Sequence, residues 1–254
     1  MLRKKQKPAL ILIHGFRGSH HGLLEIAEFL NDYELYVPDI PGSGVSPELD
    51  DKSLDGYAEW LHNYIKAKKL KKPYIVGHSM GSIIVSHFVA KYPDDVAHKV
   101  VLLSPIFRTA KGQKKSTRAY KLSHSGLKIL TKKQQKNLLA SKPLSYIISH
   151  MLTYDKGQQK RIDELHYQYS GKFSSADSFI ADMQISMCNQ TTLPKTSELL
   201  LCAGTYDQLT DINLTRETAR KNHIKFTEIK ETGHLLNYEK PRQVAKAIKD
   251  FIES

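Results

Sequence analysis

Six short apolar segments alternate with helix-like segments along most of this chain, and this alternation constrains the fold more than any other feature. The segments are continuous apolar runs, at residues 9–13, 34–40, 73–77, 99–104, 198–204 and 225–230. Continuous apolar strands are typical of parallel sheets that are buried on both faces. The sequence therefore predicts an α/β fold with a mainly parallel sheet of about six strands and helices on both faces.

Helix-like segments lie between most of these strands. Apolar residues recur at spacings of three and four in residues 22–31 and 53–70. Residues 80–92 are apolar almost throughout, which is typical of a helix packed closely on a sheet. A last helix is predicted at residues 243–252.

The alternation is interrupted once, between residues 105 and 195. This stretch is mostly polar and helix-like, and its clearest helical parts are residues 142–154 and 174–188. About ninety residues are too many for a plain connection between two strands of one sheet. We therefore expect an α/β core formed by residues 1–104 and 196–254, with residues 105–195 inserted as a helical cap over the strand ends.

The length of 254 residues suits one such domain, and no apolar run approaches the roughly 18 residues of a membrane span. Residues 1–8 are expected to form a basic tail rather than a signal peptide, because the apolar run that follows them is too short. Cys188 and Cys202 are the only cysteines. Because two cysteines do not make a disulfide framework, we expect a reducing, cytoplasmic location.

Positive charge is concentrated in one part of the chain. The net charge is +12, and residues 96–154 contain no acidic residue but many lysines and arginines. Such a basic segment could hold an anionic substrate or make weak contact with an anionic membrane surface. A general preference for lysine over arginine in this chain is the alternative explanation. The segment has few aromatic residues and matches no nucleic-acid module, so we expect no nucleic-acid partner.

The pentapeptide Gly77-His78-Ser79-Met80-Gly81 lies where the third strand ends and a helix begins. It fits the G-x-S-x-G pattern, in which a tight turn between strand and helix exposes a nucleophilic serine. Glycines are expected on both sides because larger side chains would clash there. The N-terminus of the helix also directs backbone N–H groups toward the site. An ordinary turn with a capping serine is the alternative interpretation.

Two later segments provide the partners that a nucleophilic serine needs. His234 follows the last predicted strand in a loop beside a glycine, where a general base would lie. Asp207 follows the preceding strand and could orient that histidine, although a turn-forming or helix-capping aspartate is the alternative. The segment after the strand that ends at Ser104 has no carboxylate, so Asp207 is the better-placed acid.

The loop after the first strand reads His14-Gly15-Phe16. If this loop lies beside Ser79, the backbone N–H groups of Phe16 and Met80 could together form an oxyanion hole. A plain turn at the end of a strand is the alternative interpretation.

Five motifs, taken in order, resemble those of the α/β-hydrolase superfamily: "HGF" (14–16), "DIPGSGVS" (39–46), "GHSMG" (77–81), "GTYDQLT" (204–210) and "TGHLLNYEKP" (232–241). The resemblance implies an α/β-hydrolase fold with a Ser79-Asp207-His234 triad and an oxyanion hole from the amides of Phe16 and Met80. The second motif, which includes Asp39, is expected to shape a turn. Only eight residues precede the first strand, so the antiparallel hairpin usual in the family is expected to be missing.

The resemblance implies a serine hydrolase that cleaves a carboxylic ester through an acyl-enzyme, with no metal or organic cofactor. The expected substrate is a small-molecule or lipid-like acyl compound. An acyl thioesterase is one alternative, and a lysophospholipase or monoglyceride lipase whose anionic substrate is held by the basic cap is another. Cleavage of amide or carbon–carbon bonds also stays open. A non-catalytic ligand-binding receptor or scaffold is the alternative from another class, and the sequence leaves the oligomeric state open.

Overall fold

The computed structural model of the chain describes residues 7–195 and 197–254, so most of the expected basic tail, residues 1–6, lies outside the described residues. This part of the chain contains six strands: β1 (Ala9–Ile13), β2 (Glu34–Tyr36), β3 (Tyr74–His78), β4 (Lys99–Leu103), β5 (Glu198–Gly204) and β6 (Lys225–Ile229). They form one sheet in the spatial order β2-β1-β3-β4-β5-β6. All neighbouring strands pair in parallel, which confirms the predicted sheet.

The strand boundaries agree closely with prediction, except that β2 ends at Tyr36 instead of continuing to residue 40. Pro38 explains the difference, because proline has no N–H group to donate and a fixed φ angle. β2 is the edge strand beside β1. No strand precedes β1 in the residues that the structure describes.

Helices cover both faces of the sheet. The helices outside the β4–β5 connection are α1 (His21–Ala27), α2 (Leu54–Ala67), α3 (Met80–Lys91), α9 (Ile212–Lys221), α10 (Leu236–Glu239) and α11 (Pro241–Glu253). Ile11 and Ile13 of β1 pack in one apolar cluster with α2 and α3. Leu10 and Leu12 point to the other face and pack with α1 and α11. Burial on both faces explains why the strands are continuous apolar runs.

Five helices lie between β4 and β5: α4 (Ala110–Leu127), α5 (Lys132–Leu139), α6 (Lys142–Leu152), α7 (Gln159–Tyr169) and α8 (Ala176–Cys188). The two stretches with the clearest helical pattern correspond to α6 and α8. Tyr120 of α4 and Phe179 of α8 belong to a separate apolar cluster with Phe173. Ile185 of α8, in contrast, packs in the same cluster as α3 and the sheet. This connection therefore has its own small core and also a firm contact with the sheet layer.

None of the helices in residues 7–195 and 197–254 is long and apolar enough to cross a membrane. Cys188 and Cys202 are both free thiols.

Candidate active site

Ser79 lies in the sharp turn between β3 and α3. Its backbone has φ 54° and ψ −119°, a region that non-glycine residues rarely occupy. The N–H group of Ser79 donates a hydrogen bond to the carbonyl oxygen of Leu103 on β4 at 2.9 Å, which ties the strained residue to the sheet. Such strain persists only where the surrounding structure enforces it, and it occurs most often at functional sites.

The glycines of the pentapeptide are required by close backbone contacts. A Cβ atom at Gly77 would lie 2.4 Å from the carbonyl oxygen of Gly81. A Cβ atom at Gly81 would lie 2.5 Å from the carbonyl oxygen of Ile13 and 2.6 Å from that of His14. Side chains at these two positions would therefore push α3 away from the strand ends and open the turn that presents Ser79.

The structure brings Ser79 and His234 into direct contact. His234 lies in the loop between β6 and α10, and its Nε2 atom is 2.9 Å from the Ser79 hydroxyl oxygen. The Nδ1 atom of His234 is 2.8 Å from a carboxylate oxygen of Asp207. Because the carboxylate accepts a hydrogen, Nδ1 carries the proton and the lone pair of Nε2 faces the hydroxyl of Ser79. In this arrangement His234 can accept the serine proton.

Asp207 is held rigidly in the loop after β5. One carboxylate oxygen accepts hydrogen bonds from the backbone N–H groups of Leu209 and Thr210, at 2.9 and 3.0 Å. The other accepts from the hydroxyl of Thr210 at 2.8 Å as well as from His234. Burial alone would raise the pKa of Asp207, but the neighbouring His234, which also donates a hydrogen bond, and the bonds from Thr210 lower it to about 2. The carboxylate is therefore ionised and oriented toward the imidazole.

Three residues that sequence analysis did not single out fix the backbone of His234. Its carbonyl oxygen accepts hydrogen bonds from Nε2 of His78 at 3.2 Å and from the Ser104 hydroxyl at 3.4 Å. Its N–H group donates to the carbonyl oxygen of Leu152 at the end of α6, at 2.8 Å. Burial, and then the neighbouring His234, lower the pKa of His78 to about 3, so His78 is a neutral donor here. These contacts join residues far apart in sequence, so local patterns give no signal for them.

The loop after β1 lies against Ser79. A Cβ atom at Gly15 would be only 2.8 Å from the Cβ atom of Ser79. Phe16, the next residue, contacts the rings of Phe173 and Phe179, with centroids 6.3 and 5.2 Å away. Met80 is the first residue of α3 and is buried. The segments that carry the amides of Phe16 and Met80 therefore both border Ser79.

His14 and Asp39 hold this loop in place. The Nε2 atom of His14 accepts a hydrogen bond from the N–H group of Ile40 at 2.9 Å, and its Nδ1 atom donates to the carbonyl oxygen of Gly15 at 2.9 Å. Asp39 accepts from the N–H groups of His20 and Val45, at 2.6 and 3.0 Å. The turn that Asp39 was expected to shape is present, and it connects the loop after β1 to the loop after β2.

A cavity of about 260 Å³ opens beside Ser79 and His234, and we refer to it as the Ser79 cavity. Its lining is largely apolar and comes mainly from the loop after β1, from α1, from α6 and from the loop after β6. It includes Phe16, Leu23, Ile148, Met151, Leu152 and Leu235. None of the cations of the basic segment, residues 96–154, lines this cavity in the described structure. The cavity can therefore hold a small, mainly apolar group against the serine hydroxyl.

Across residues 7–195 and 197–254, no group of three or more histidine, cysteine, aspartate or glutamate side chains is placed to hold a metal ion. The rings of His20 and His21 contact each other near Asp39, with centroids 3.9 Å apart and planes tilted by 36°.

Comparisons with known proteins concern the sequence and the fold of the whole chain. A family model described as the alpha/beta hydrolase fold matches residues 8–116. Monoacylglycerol lipase ABHD6 of Homo sapiens is 35% identical over 100 residues, which cover 37% of this chain and 30% of that enzyme. The same lipase of Mus musculus is 25% identical over 267 residues, covering 99% of this chain and 77% of the mouse enzyme. In the alignment with the human lipase, the chain therefore spans less than a third of that enzyme's length.

Solved structures extend the similarity to the whole fold. A thermophilic esterase from Thermogutta terrifontis superposes with a TM-score of 0.75 at 18% identity, covering 98% of this chain and 90% of that one. Together, the family model, the relatives and the solved structure show that the chain has the α/β-hydrolase fold.

Proposed function

We propose that this chain is a serine hydrolase that cleaves a carboxylic ester, with Ser79 as nucleophile, His234 as general base and Asp207 as the residue that orients the base. One observation carries the proposal: an unbroken series of hydrogen bonds leads from Asp207 through His234 to the Ser79 hydroxyl, at 2.8 and 2.9 Å. The strained backbone of Ser79 supports it, because strain of this kind is typical of a nucleophile held on a tight turn.

In the proposed reaction, the Ser79 oxygen attacks the ester carbonyl carbon while His234 takes the hydroxyl proton. Asp207 stabilises the imidazolium that forms. The backbone N–H groups of Phe16 and Met80 donate to the oxyanion, and one such donor typically changes the rate by roughly 10²–10³. The alcohol leaves with the proton from His234, and water then attacks the acyl-enzyme with the histidine acting again as base. Neither half of this reaction requires a metal or an organic cofactor.

We further propose that residues 105–195 act as a cap that selects the substrate. Support comes from the Ser79 cavity, because α6 contributes Ile148, Met151 and Leu152 to its lining. The volume of about 260 Å³ lies just below the roughly 300–1,000 Å³ typical of ligand pockets, which favours a small ester. The free state of both cysteines is compatible with the reducing cytoplasm that we propose as the location of the enzyme.

Hydrolysis of monoacylglycerols is the second candidate function. The lipase relatives suggest it. So do two apolar side chains that line the cavity and are more than half exposed, Met151 at 64% and Leu209 at 52%. Exposed apolar side chains at a cavity entrance can contact an acyl chain that extends out of it. A thioester in place of the ester would use the same residues.

The test is hydrolysis of a p-nitrophenyl ester series, from two to sixteen acyl carbons, by wild type, Ser79→Ala and the exposed control Ser125→Ala. We expect activity in wild type and the control, and a loss on the order of 10³-fold or more in Ser79→Ala. A fluorophosphonate probe should label Ser79. A maximum at short acyl chains supports the small-ester proposal, and a maximum at long chains supports the lipase. Saturable ligand binding without turnover or labelling would instead indicate the receptor alternative and refute the enzyme.

A further inference from the structure

Arg17 is a buried cation in the wall of the Ser79 cavity. It lies on the loop after β1, two residues beyond Gly15, and is one of the residues that line the cavity. Only 4% of its surface is exposed. Its backbone has a φ angle of 62°, which is unusual for a residue with a side chain, so its position is held by the surrounding fold.

The guanidinium group of Arg17 has very few partners. Nη2 donates one long hydrogen bond, 3.4 Å, to the hydroxyl of Ser145 on α6. The Nε and Nη1 atoms are buried and have no hydrogen-bond partner among the described residues. Arg17 takes part in none of the ion pairs found among the described residues. Burying a charge without such partners is costly, and natural proteins normally pair it.

The fold is shaped to accommodate this group. A Cβ atom at Gly171, in the loop between α7 and α8, would lie 2.7 Å from Nη2 of Arg17. Gly171 also has a φ angle of 69° and donates its N–H group to the carbonyl oxygen of Arg17 at 2.7 Å. A side chain at this position would displace the guanidinium, so the glycine leaves the space that Arg17 occupies. Burial lowers the pKa of Arg17 to about 10, which still leaves it charged at neutral pH.

Other polar groups of the same cavity also lack partners, and none of them neutralises Arg17. His166 of α7 has an unpaired buried Nδ1 atom, and Asn237 has an unpaired buried Oδ1 atom. Burial, and then the charge of Arg17, lower the pKa of His166 to about 4, so this histidine is neutral at pH 7. No aspartate, glutamate or lysine lines the cavity within the described residues. The wall therefore carries the positive charge of Arg17 without a balancing carboxylate.

We propose that Arg17 binds a carboxylate of the substrate, so that the preferred substrate of the serine hydrolase is an ester that also bears one free carboxylate. This inference rests on the proposed function, which it extends from a reaction to a substrate class. One cation matches the single charge of a carboxylate better than the higher charge of a phosphate monoester. The carboxylate would supply the acceptors that Nε and Nη1 lack, and the apolar wall would hold the carbon chain between the acid and the ester.

The test compares two esters of nearly equal shape, monoethyl succinate and ethyl levulinate. The first carries a carboxylate that is ionised at pH 7.5, and the second has a neutral methyl ketone in its place. Release of ethanol gives kcat/KM for both. We expect wild type to prefer monoethyl succinate, and Arg17→Gln to lower the ratio of the two kcat/KM values by roughly 10- to 100-fold. Arg17→Lys keeps the charge and should retain part of the preference.

Lys128→Gln is the matched control, because it removes one positive charge from an exposed position of the basic segment. Its ratio should equal that of wild type. A wild type without preference for the anionic ester, or an equal fall of the ratio in Lys128→Gln, would overturn the assignment to Arg17. Circular dichroism and fluorophosphonate labelling show whether each variant is folded. If Arg17→Gln does not fold, the ratio of kcat/KM values is compared between wild type and Arg17→Lys instead.

Calorimetry with the Ser79→Ala variant separates this inference from the proposed function. If wild type cleaves neither ester, the proposed reaction has failed, but tighter binding of monoethyl succinate than of ethyl levulinate to Ser79→Ala would still support the carboxylate site. That preference should disappear when Arg17→Gln is added. Equal binding of the two ligands, with or without turnover, would overturn the site.

Discussion

The carboxylate of Glu239 accepts a hydrogen bond from the N–H group of Gly233, the residue immediately before His234, at 2.8 Å. Its other oxygen accepts from the N–H groups of Tyr154 and Asp155, at 3.0 and 2.7 Å. One buried carboxylate thus connects the loop of the proposed base to the segment that follows α6. The position of His234 depends on this connection as well as on Asp207.

Glu239→Gln should loosen this connection. The amide has only one acceptor oxygen, so its NH2 group would face an N–H donor. Because hydrogen bonds to charged groups contribute about 1.5–3 kcal/mol, we expect the free energy of unfolding to fall by about 2 kcal/mol. Ester hydrolysis should fall on the order of 10-fold as His234 shifts. Urea unfolding and steady-state kinetics measure both effects. Glu231→Gln, at an exposed position of the same loop, is the control, and equal stability of the two variants would contradict this role.

Asp207→Asn should lower kcat while the protein stays folded. Asparagine cannot stabilise a charged imidazole, and its amide can favour the wrong histidine tautomer. We expect a loss on the order of 10³–10⁴ in kcat. Asp211→Asn is a close control, because Asp211 caps α9 through the N–H groups of Asn213 and Leu214 and asparagine caps equally well. Similar kcat values for the two variants would exclude Asp207 as the orienting acid.

Gly81→Ala should destabilise the turn that carries Ser79. The added Cβ atom would lie 2.5 and 2.6 Å from two backbone oxygens that cannot move independently of the sheet. We expect a loss of about 2–3 kcal/mol in the free energy of unfolding, with reduced hydrolysis. Gly126→Ala in α4 is the opposite case, because nothing lies within 4 Å of its added Cβ atom. It should stabilise the protein by about 0.5–1 kcal/mol. Equal effects of the two substitutions on thermal unfolding would refute this steric explanation.

Asp182 should make the stability depend on pH. It is buried in α8, where it accepts hydrogen bonds from Tyr57 at 2.6 Å and from Ser43 at 3.3 Å. Burial raises its pKa to about 7, although these two hydrogen bonds oppose the shift. In the unfolded chain the carboxyl group ionises near pH 4. Between about pH 4 and pH 7 the unfolded state therefore loses a proton that the folded state keeps, so stability falls as the pH rises through this window.

The variant Asp182→Asn stays neutral and should escape this loss. Relative to wild type, its free energy of unfolding should increase by about 2 kcal/mol between pH 5 and pH 8. Urea titrations of both proteins at the two pH values measure the difference, and groups common to both cancel. Asp177→Asn, on the exposed side of the same helix, is the control that measures how the loss of a surface carboxylate changes the free energy of unfolding. A wild-type-to-variant difference that is the same at both pH values would contradict the role of Asp182.

Local patterns were sufficient for the sheet and for the position of the proposed nucleophile. The apolar runs predicted all six strands, and only β2 differed because Pro38 ends it early. The glycines on both sides of Ser79 predicted the tight turn, because a larger side chain at Gly77 or Gly81 would clash with nearby backbone atoms. Asp207 and His234 followed from their places after β5 and β6. The structure brings both to Ser79 because parallel strands end at the same edge of the sheet.

The sequence by itself determined the strands, the turns and the residues that follow each strand, because spacing, glycine and proline act over a few residues. Only the tertiary structure decided which polar groups lose their contact with water. By its sequence position alone, Arg17 is a cation in a loop. It is buried because α6, α7 and the loop at Gly171 pack against it. Asp182 likewise becomes a buried acid only where α8 packs against Tyr57 of α2. Burial depends on contacts between segments more than 100 residues apart, and no local pattern encodes it.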